Sequence, residues 1–351
     1  MSKQQEQRGE HTSMKMTMRL GPRSYDIILK RGSLGRLGQL ADLMNRRVLV
    51  VTDDGVPAQW PDAVLAQCTR GYKLVLPAGE ATKCFSQLEK ICRTLLENGF
   101  TRADAVVAVG GGVVGDLAGF AAAVYMRGIV FINCPTTTLS QVDSSIGGKT
   151  AIDLAGAKNA VGAFHQPELV VIDPDTLSTL PPRHFANGMA EAVKAGLLGD
   201  EKLFALFEEG DAAGHIEEIL TRALAVKKAV VEQDERDTGA RACLNFGHTL
   251  GHAVESASDM GLLHGECVGL GMLPMITDKT LRRRAAAVLK DLGLPVKVRY
   301  DGAAVQGFLA HDKKLGFGDK LTVVRVAEAG SYYLEQLPLE AVQAMVGSGI
   351  G

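Results

Sequence analysis

The stretch Ala105-Val106-Val107-Ala108-Val109-Gly110-Gly111-Gly112-Val113-Val114-Gly115-Asp116 decides the fold. Its first five residues are apolar and rich in valine, a run short enough for a strand buried on both faces. Three glycines break the run. The apolar character then resumes through Leu117, Phe120 and Val124 as a buried helix. Strand, glycine turn and helix in this order form the repeating unit of an α/β layer with a largely parallel sheet. The segment from Ala105 to Met126 is about long enough to span a bilayer. Asp116 near its centre and the glycines of its first half argue against a membrane helix.

The same alternation extends in both directions. Arg47 to Asp53 and Lys73 to Pro77 read as strands, and apolar residues between Lys83 and Asn98 recur at helical spacing up to Gly99. Ile129 to Cys134 and Val170 to Asp173 read as further strands. After Pro181-Pro182 the pattern turns helical over 185–199, 201–209, 214–234, 246–257 and 265–290, with no strand before 320–326. The expected organisation is a flexible polar extension over 1–17, an α/β domain over 18–180 and a mostly α-helical domain over 181–351.

Composition narrows the classes of function. With 46% hydrophobic and 22% charged residues, the 351-residue chain is that of a soluble globular protein. A net charge of −2 gives no basic excess for nucleic acid. The six cysteines form no C-x-x-C pair and suit free thiols in a reducing cytosol. The first seventeen residues lack the apolar core of a signal peptide, so a cytoplasmic location is expected.

Four motifs carry chemistry. Gly110-Gly111-Gly112-Val113-Val114-Gly115 matches G-x-G-x-x-G, in which glycines let the backbone approach a pyrophosphate at a helix N-terminus. Glycines also serve where a helix simply packs tightly on a sheet. The acidic ribose partner normally found about twenty residues on is missing, which leaves Asp53, at the end of an earlier strand, as the candidate. Gly147-Gly148-Lys149-Thr150 resembles the end of a P-loop, but Asp143 stands where its first glycine belongs. What remains is a turn presenting Lys149, followed by Lys158 and Asn159, suited to an anion or to an ordinary charged surface. Glu191 and Lys194 lie at i,i+3 on a helix in an apolar, Ala-rich context, so their charges face something buried. His248 and His252 share a helix face at i,i+4, and His264-Gly265-Glu266 follows. A metal with three protein ligands accounts for such a set, with Glu191 as a possible carboxylate member, and so does a pair of solvated histidines.

Taken in order, GGGVVGDLAGF, YMRG, PTT, VDSSIGGKTAID, KN, MAEAVK, NFGHTLGH and HGE resemble the dehydroquinate synthase family of sugar phosphate cyclases, over roughly residues 20–340. The resemblance implies an NAD-binding α/β domain, a helical domain holding metal and substrate, and a homodimer. It implies Zn2+ or Co2+ on Glu191, His248 and His264, which moves His252 from the metal to the substrate. It implies NAD contacts at Asp53, Glu80, Lys83, Gly112, Val113, Val114, Gly115, Asp116, Thr136, Thr137, Lys149 and Lys158, with Thr176, Leu177, Ser178 and Thr179 nearby. Substrate groups carry over to Arg127, Asp143, Lys149, Asn159, Lys194, Lys227, Arg241, Asn245, His252 and Lys313, with Arg127 reaching the neighbouring subunit's site.

The implied enzyme is an NAD- and metal-dependent carbon–oxygen lyase. It converts 3-deoxy-D-arabino-heptulosonate 7-phosphate to 3-dehydroquinate and phosphate. The route runs through transient oxidation, phosphate elimination, re-reduction, ring opening and aldol closure. Its partner is thus a small sugar acid phosphate, with no nucleic acid and no membrane. Another cyclase, or an iron-type alcohol dehydrogenase of the same two-domain plan, is the alternative. The departures from the family pattern (Thr138 after PTT, Leu250 within GHTLGH, His311 before Asp312-Lys313) remove no charged group.

Overall fold

A computed structural model describes residues 14–257, 261–299, 302–313 and 320–346, and divides the chain into two compact units, Met1–Leu180 and Pro181–Gly351. The first unit holds β1 (Met14–Met18), β2 (Tyr25–Leu29), β3 (Arg47–Asp53), α1 (Gln59–Leu65), β4 (Arg70–Leu76), α2 (Phe85–Glu97), β5 (Ala105–Gly110), α3 (Gly112–Val124), β6 (Val130–Pro135), β7 (Lys149–Leu154), β8 (Ala157–Phe164) and β9 (Leu169–Ile172). Seven strands form one sheet in the order β1-β2-β9-β6-β5-β3-β4, parallel throughout except for the β1–β2 edge. Alternate residues of the central strands feed two cores. Leu49, Val51, Val106 and Ala108 pack with α2 and α3, while Val48, Val50, Val107 and Val109 pack with Leu34, Leu37 and Val64. Burial on both faces is why these strands read as unbroken valine-rich runs.

The chain reverses its direction across the sheet at β3, which has β4 on one side and β5 on the other. Open α/β sheets bind ligands at the carboxyl ends of strands at such a switch point. Asp53 and the Gly110–Gly112 turn stand at those ends.

Three expectations change. Residues 1–13 lie outside the described residues, and Met14 to Thr17 are not extension but strand. Met14, Met16 and Met18 turn inward while Lys15 and Thr17 pair outward with Asp26 at 2.8 and 2.7 Å. The segment carrying Lys149, Lys158 and Asn159 is an antiparallel hairpin, β7–β8, turned at Ala155 and Gly156, both at positive φ. Such a two-residue turn needs positive φ at both positions, which is costly for Ala155. The single helix expected over 265–290 is two, α8 (His264–Met275) and α9 (Lys279–Asp291). Pro274 removes a helical donor, and Asp278 caps the next helix by accepting from the Leu281 N–H at 2.7 Å.

The second unit holds α4 (Pro182–Gly199), α5 (Glu201–Glu209), α6 (Ile216–Gln233), α7 (His248–Ala257), α8, α9, α10 (Gly302–Lys313), the antiparallel pair β10 (Lys320–Arg325) and β11 (Tyr333–Pro338), and α11 (Leu339–Val346). Its centre is α8, apolar on all sides and packed against α4, α7 and α9. Glycines set the close spacing: a Cβ at Gly271 would lie 2.0 Å from the Gly247 carbonyl oxygen, and one at Gly265 would lie 1.9 Å from that of Asn187. No helix among the described residues is long and apolar enough to cross a membrane.

Candidate metal centre and cofactor cradle

In the helical unit, α4, α7 and α8 bring three imidazoles and a carboxylate together. The ring nitrogens of His248, His252 and His264 lie within 4.8 Å of one another. Glu191 Oε1 faces His248 Nε2 at 3.6 Å and His264 Nε2 at 3.4 Å. The Glu191 side chain is 1% exposed, and neither oxygen has a hydrogen bond of good geometry, although Lys194 lies against it as an ion pair. A buried carboxylate turned toward two imidazole nitrogens and short of donors fits a divalent cation.

The protonation pattern fits as well. Burial, then Lys194, depress His248 to about 3, and its Nδ1–H donates to the Phe246 carbonyl at 3.2 Å, which leaves the Nε2 lone pair toward Glu191. Burial alone would lower His264, but Glu191 and Glu255 outweigh it and raise the group to about 9. Burial would also raise the Glu191 carboxyl. Lys194, His248 and His264 together hold it well below its ordinary range. A neutral His248 and an ionised Glu191 thus turn a lone pair and a negative charge toward the same space, as a cation's ligands must. His252 differs from its two neighbours in being exposed.

Cationic and amide groups lie along the same unit. Lys194 donates to the Leu244 carbonyl at 2.9 Å, and Lys227 on α6 and Arg241 are buried. Arg241 is held in a tight turn whose anchor is Asp234, the acceptor for the N–H groups of Thr238, Gly239 and Arg241 at 2.9, 2.8 and 3.1 Å. Asn245 is exposed just before α7. The side chain of Lys313 lies outside the described residues.

In the α/β unit, a cavity of about 450 Å³ opens at the end of β3, lined by Thr52, Asp53, Gly55, Pro57, Lys73 and Val75 among others. Asp53 accepts from the Gly55 N–H at 2.9 Å, and burial raises its carboxyl. The first turn of α3 starts at Gly111 with no side chain capping it, and Thr137 packs 3.1 Å from where a Gly111 Cβ would be. Such a helix start can take an anion on its open N–H groups. Gly115 serves packing instead, since a Cβ there would lie 3.3 Å from Asn133 on β6. The packing reading of the glycine run thus holds at Gly115.

Lys83, 4% exposed, pairs with Asp116 at 2.9 Å, Glu80 at 3.3 Å and Asp153 at 4.0 Å, and donates to Asn159 Oδ1. Four of the expected residues thus meet in one cluster. Thr176 is different. Its buried hydroxyl accepts from Gln141 Nε2 at 3.0 Å and donates to the Asp173 carbonyl at 2.8 Å, and Leu177 is buried beside it, while Ser178 and Thr179 face the surface. Lys149, Lys158 and Arg127 are exposed, Asp143 half-buried, and Arg127 sits at a φ of +67°.

Models of the 3-dehydroquinate synthase N-terminal and C-terminal domains match residues 73–187 and 188–315. The 3-dehydroquinate synthase of Streptococcus sanguinis is 40% identical over 94% of this chain and 99% of its own length; that of Rhodospirillum rubrum is 45% identical over 88% of each. The chain belongs to the 3-dehydroquinate synthase family. Among solved structures, a 2-epi-5-epi-valiolone synthase from Streptomyces hygroscopicus with NAD+ and Zn2+ bound is 27% identical, with a TM-score of 0.84 over 92% of this chain and 96% of that one.

Within this family frame, four residues that were not among the expected site residues stand beside them. Asp153 completes the cage around Lys83, and Asp234 anchors Arg241. Glu255 faces His264 Nδ1 at 3.7 Å, and Asn187 accepts from the Gly265 N–H at 2.6 Å. Two had a usable signal: Asp153 closes the VDSSIGGKTAID motif, and Asn187 stands four residues before Glu191 on the same helix face.

Proposed function

We infer that this chain catalyses the 3-dehydroquinate synthase reaction, from the seven-carbon heptulosonate phosphate to 3-dehydroquinate and phosphate, as a cytoplasmic homodimer. Residues 18–180 bind NAD, and 181–351 bind metal and substrate. The observation that carries this is the convergence of Glu191, His248 and His264 in a chain that matches the family over residues 73–315. When bound, NAD+ supplies reversible hydride exchange and Zn2+ or Co2+ supplies Lewis acidity.

The chain's own groups do the rest. Glu191, His248 and His264 hold the ion, and exposed His252 is turned to the substrate. Asp53 takes the ribose hydroxyls, while Glu80, Lys83, Gly112 to Asp116, Thr136, Thr137, Lys149 and Lys158, with Ser178 and Thr179, complete the NAD contacts. Within the helical unit Lys194, Asn245 and His252 take the phosphate and Lys313 adds positive charge; Lys149 and Asn159, with Arg127 toward the partner subunit, are the substrate groups of the α/β unit. Buried Lys227 and Arg241 take the carboxylate, because a desolvated guanidinium and ammonium bind it far better than exposed ones. Asp143 orients the substrate hydroxyls. Positioned cations of this kind stabilise departing phosphate and developing oxyanions.

The test supplies the heptulosonate phosphate with NAD+ and Zn2+ and measures phosphate release. Phosphate appears with no net NADH. NADH accumulation without phosphate would instead identify a dehydrogenase, and preference for a sugar phosphate lacking the carboxylate would identify another cyclase.

A further inference from the structure

Arg183, Asn187 and Glu191 stand four residues apart, so they form one stripe along α4. The stripe meets the start of α8 in reverse order. Arg183 grips Glu266 with two prongs, Nε to Oε1 at 2.7 Å and Nη2 to Oε2 at 2.8 Å. Asn187 Oδ1 accepts from the Gly265 N–H at 2.6 Å. Glu191 faces His264 at 3.4 Å. Glu266 also accepts from the Leu263 N–H at 2.8 Å, so it closes the first turn of α8 just ahead of His264. The fit is tight: any Cβ at Gly265 would lie 1.9 Å from the Asn187 carbonyl oxygen.

Each contact constrains a different freedom of His264. The Arg183–Glu266 fork fixes where the first turn of α8 begins and, being planar, how it is rotated. The Asn187 bond fixes the peptide immediately after His264, and with it the direction of its Cα–Cβ bond. The last residue of the stripe is itself a proposed ligand. One helix face therefore sets both a ligand and the placement of the ligand opposite.

Resting on the metal reading above, we propose that Asn187, with the Arg183–Glu266 fork beside it, is a positioning element that holds His264 in register with Glu191 for metal binding. Groups behind metal ligands typically carry a 10- to 100-fold share of affinity. Asn187→Ala lowers Zn2+ affinity by about that factor and shifts the visible absorption of the Co2+ form. Asn187→Asp keeps the acceptor and regains most of the affinity.

The experiment titrates metal-free wild type, Glu191→Ala, Asn187→Ala, Asn187→Asp and Arg183→Lys with Zn2+ against a chromophoric chelator, records Co2+ spectra, and melts each metal-free protein. Arg183→Lys replaces the fork with a point charge and weakens Zn2+ in the same direction; it carries the test if Asn187→Ala does not fold. Wild-type Zn2+ affinity and Co2+ spectrum in Asn187→Ala or Arg183→Lys, whatever the change in melting, make the stripe a packing feature only and overturn the proposal. Equal Zn2+ affinity in wild type and Glu191→Ala overturns the metal reading itself, a separate failure.

Discussion

Replacing Lys83 by methionine isolates the charge cluster at the edge of the proposed NAD site. The side chain is 4% exposed and its ammonium meets Asp116, Glu80 and Asp153 at 2.9, 3.3 and 4.0 Å. Methionine fills much of the space but leaves three carboxylates facing one another. Removing one partner of a buried pair costs ~3–5 kcal/mol, whereas an exposed pair contributes ~0–1 kcal/mol. The anions here are 20%, 41% and 23% exposed and can recover water, so the cost falls between these limits, at about 2 kcal/mol. For a unit of this size that is a fall of roughly 4–8 °C in Tm.

The pH sign follows from the direction of the shift. Burial opposes the Lys83 charge, but Asp116 and Glu80 outweigh it and raise its pKa. Its contribution is therefore complete below the unfolded value and lost only as pH rises past the folded one, so a melt near pH 7 reads all of it. High salt recovers part of the loss, because a Debye length of about 3 Å at 1 M screens the repulsion among the carboxylates. Thermal melts by circular dichroism at low and high salt measure this. Fluorescence of Trp60, the chain's single tryptophan, whose indole N–H donates to Thr179 at 2.9 Å, measures NAD binding. Wild-type Tm and wild-type NAD affinity in Lys83→Met would refute the account of the cluster.

Three further outcomes are expected. His248→Ala empties the metal site, whereas His252→Ala keeps the metal and loses turnover; equal metal loss in both, by elemental analysis, contradicts the division of the pair. Lys227→Ala and Arg241→Ala each raise KM for the acid substrate by about 10-fold or more, the scale of a lost charge-assisted bond, and leave Zn2+ affinity as in wild type, as steady-state kinetics and chelator competition will show. Asp104 is buried; that alone would raise its carboxyl, but the N–H groups of Thr101 and Arg47 at 2.6 and 2.7 Å outweigh it and lower the pKa. Asp104→Asn therefore lowers Tm at pH 7, and the deficit shrinks as pH falls below about 4 toward the lowered folded pKa; a deficit that grows or stays constant as the pH is lowered refutes that assignment.

The parallel sheet was legible because its strands are buried on both faces, so local composition and tertiary environment agree from Arg47 to Asp53 and from Ala105 to Gly110. The edges were not. The β1 alternation is carried by methionines in a polar stretch, and the β7–β8 turn uses Ala155-Gly156, where an alanine is pressed into a conformation that Asn or Asp takes more readily. The break between α8 and α9 was signalled by Pro274 and Asp278, but the apolar period runs across it, because Met275 and Ile276 stay buried while Ile276 bridges to Val326. Hydrophobic period reports burial, and burial continues where a helix ends inside a core.

The site shows the complementary limit. His248 and His252 are equivalent by spacing, since i and i+4 share a face whatever surrounds them. What orients His248 belongs to its surroundings: the Phe246 carbonyl takes its Nδ1–H, and α4 brings Glu191 Oε1 to 3.6 Å from its Nε2. That approach depends in turn on residues without chemistry of their own, Gly265 and Gly271, which let α8 come within contact distance of α4 and α7. Residue type can announce that a chain holds a metal, because few other uses call for two histidines and an acid in apolar surroundings. Which imidazoles come to stand beside the Glu191 carboxylate is decided by helix packing, and packing is written in the glycines and in neutral residues such as Asn187, whose meaning exists only once the helices are docked.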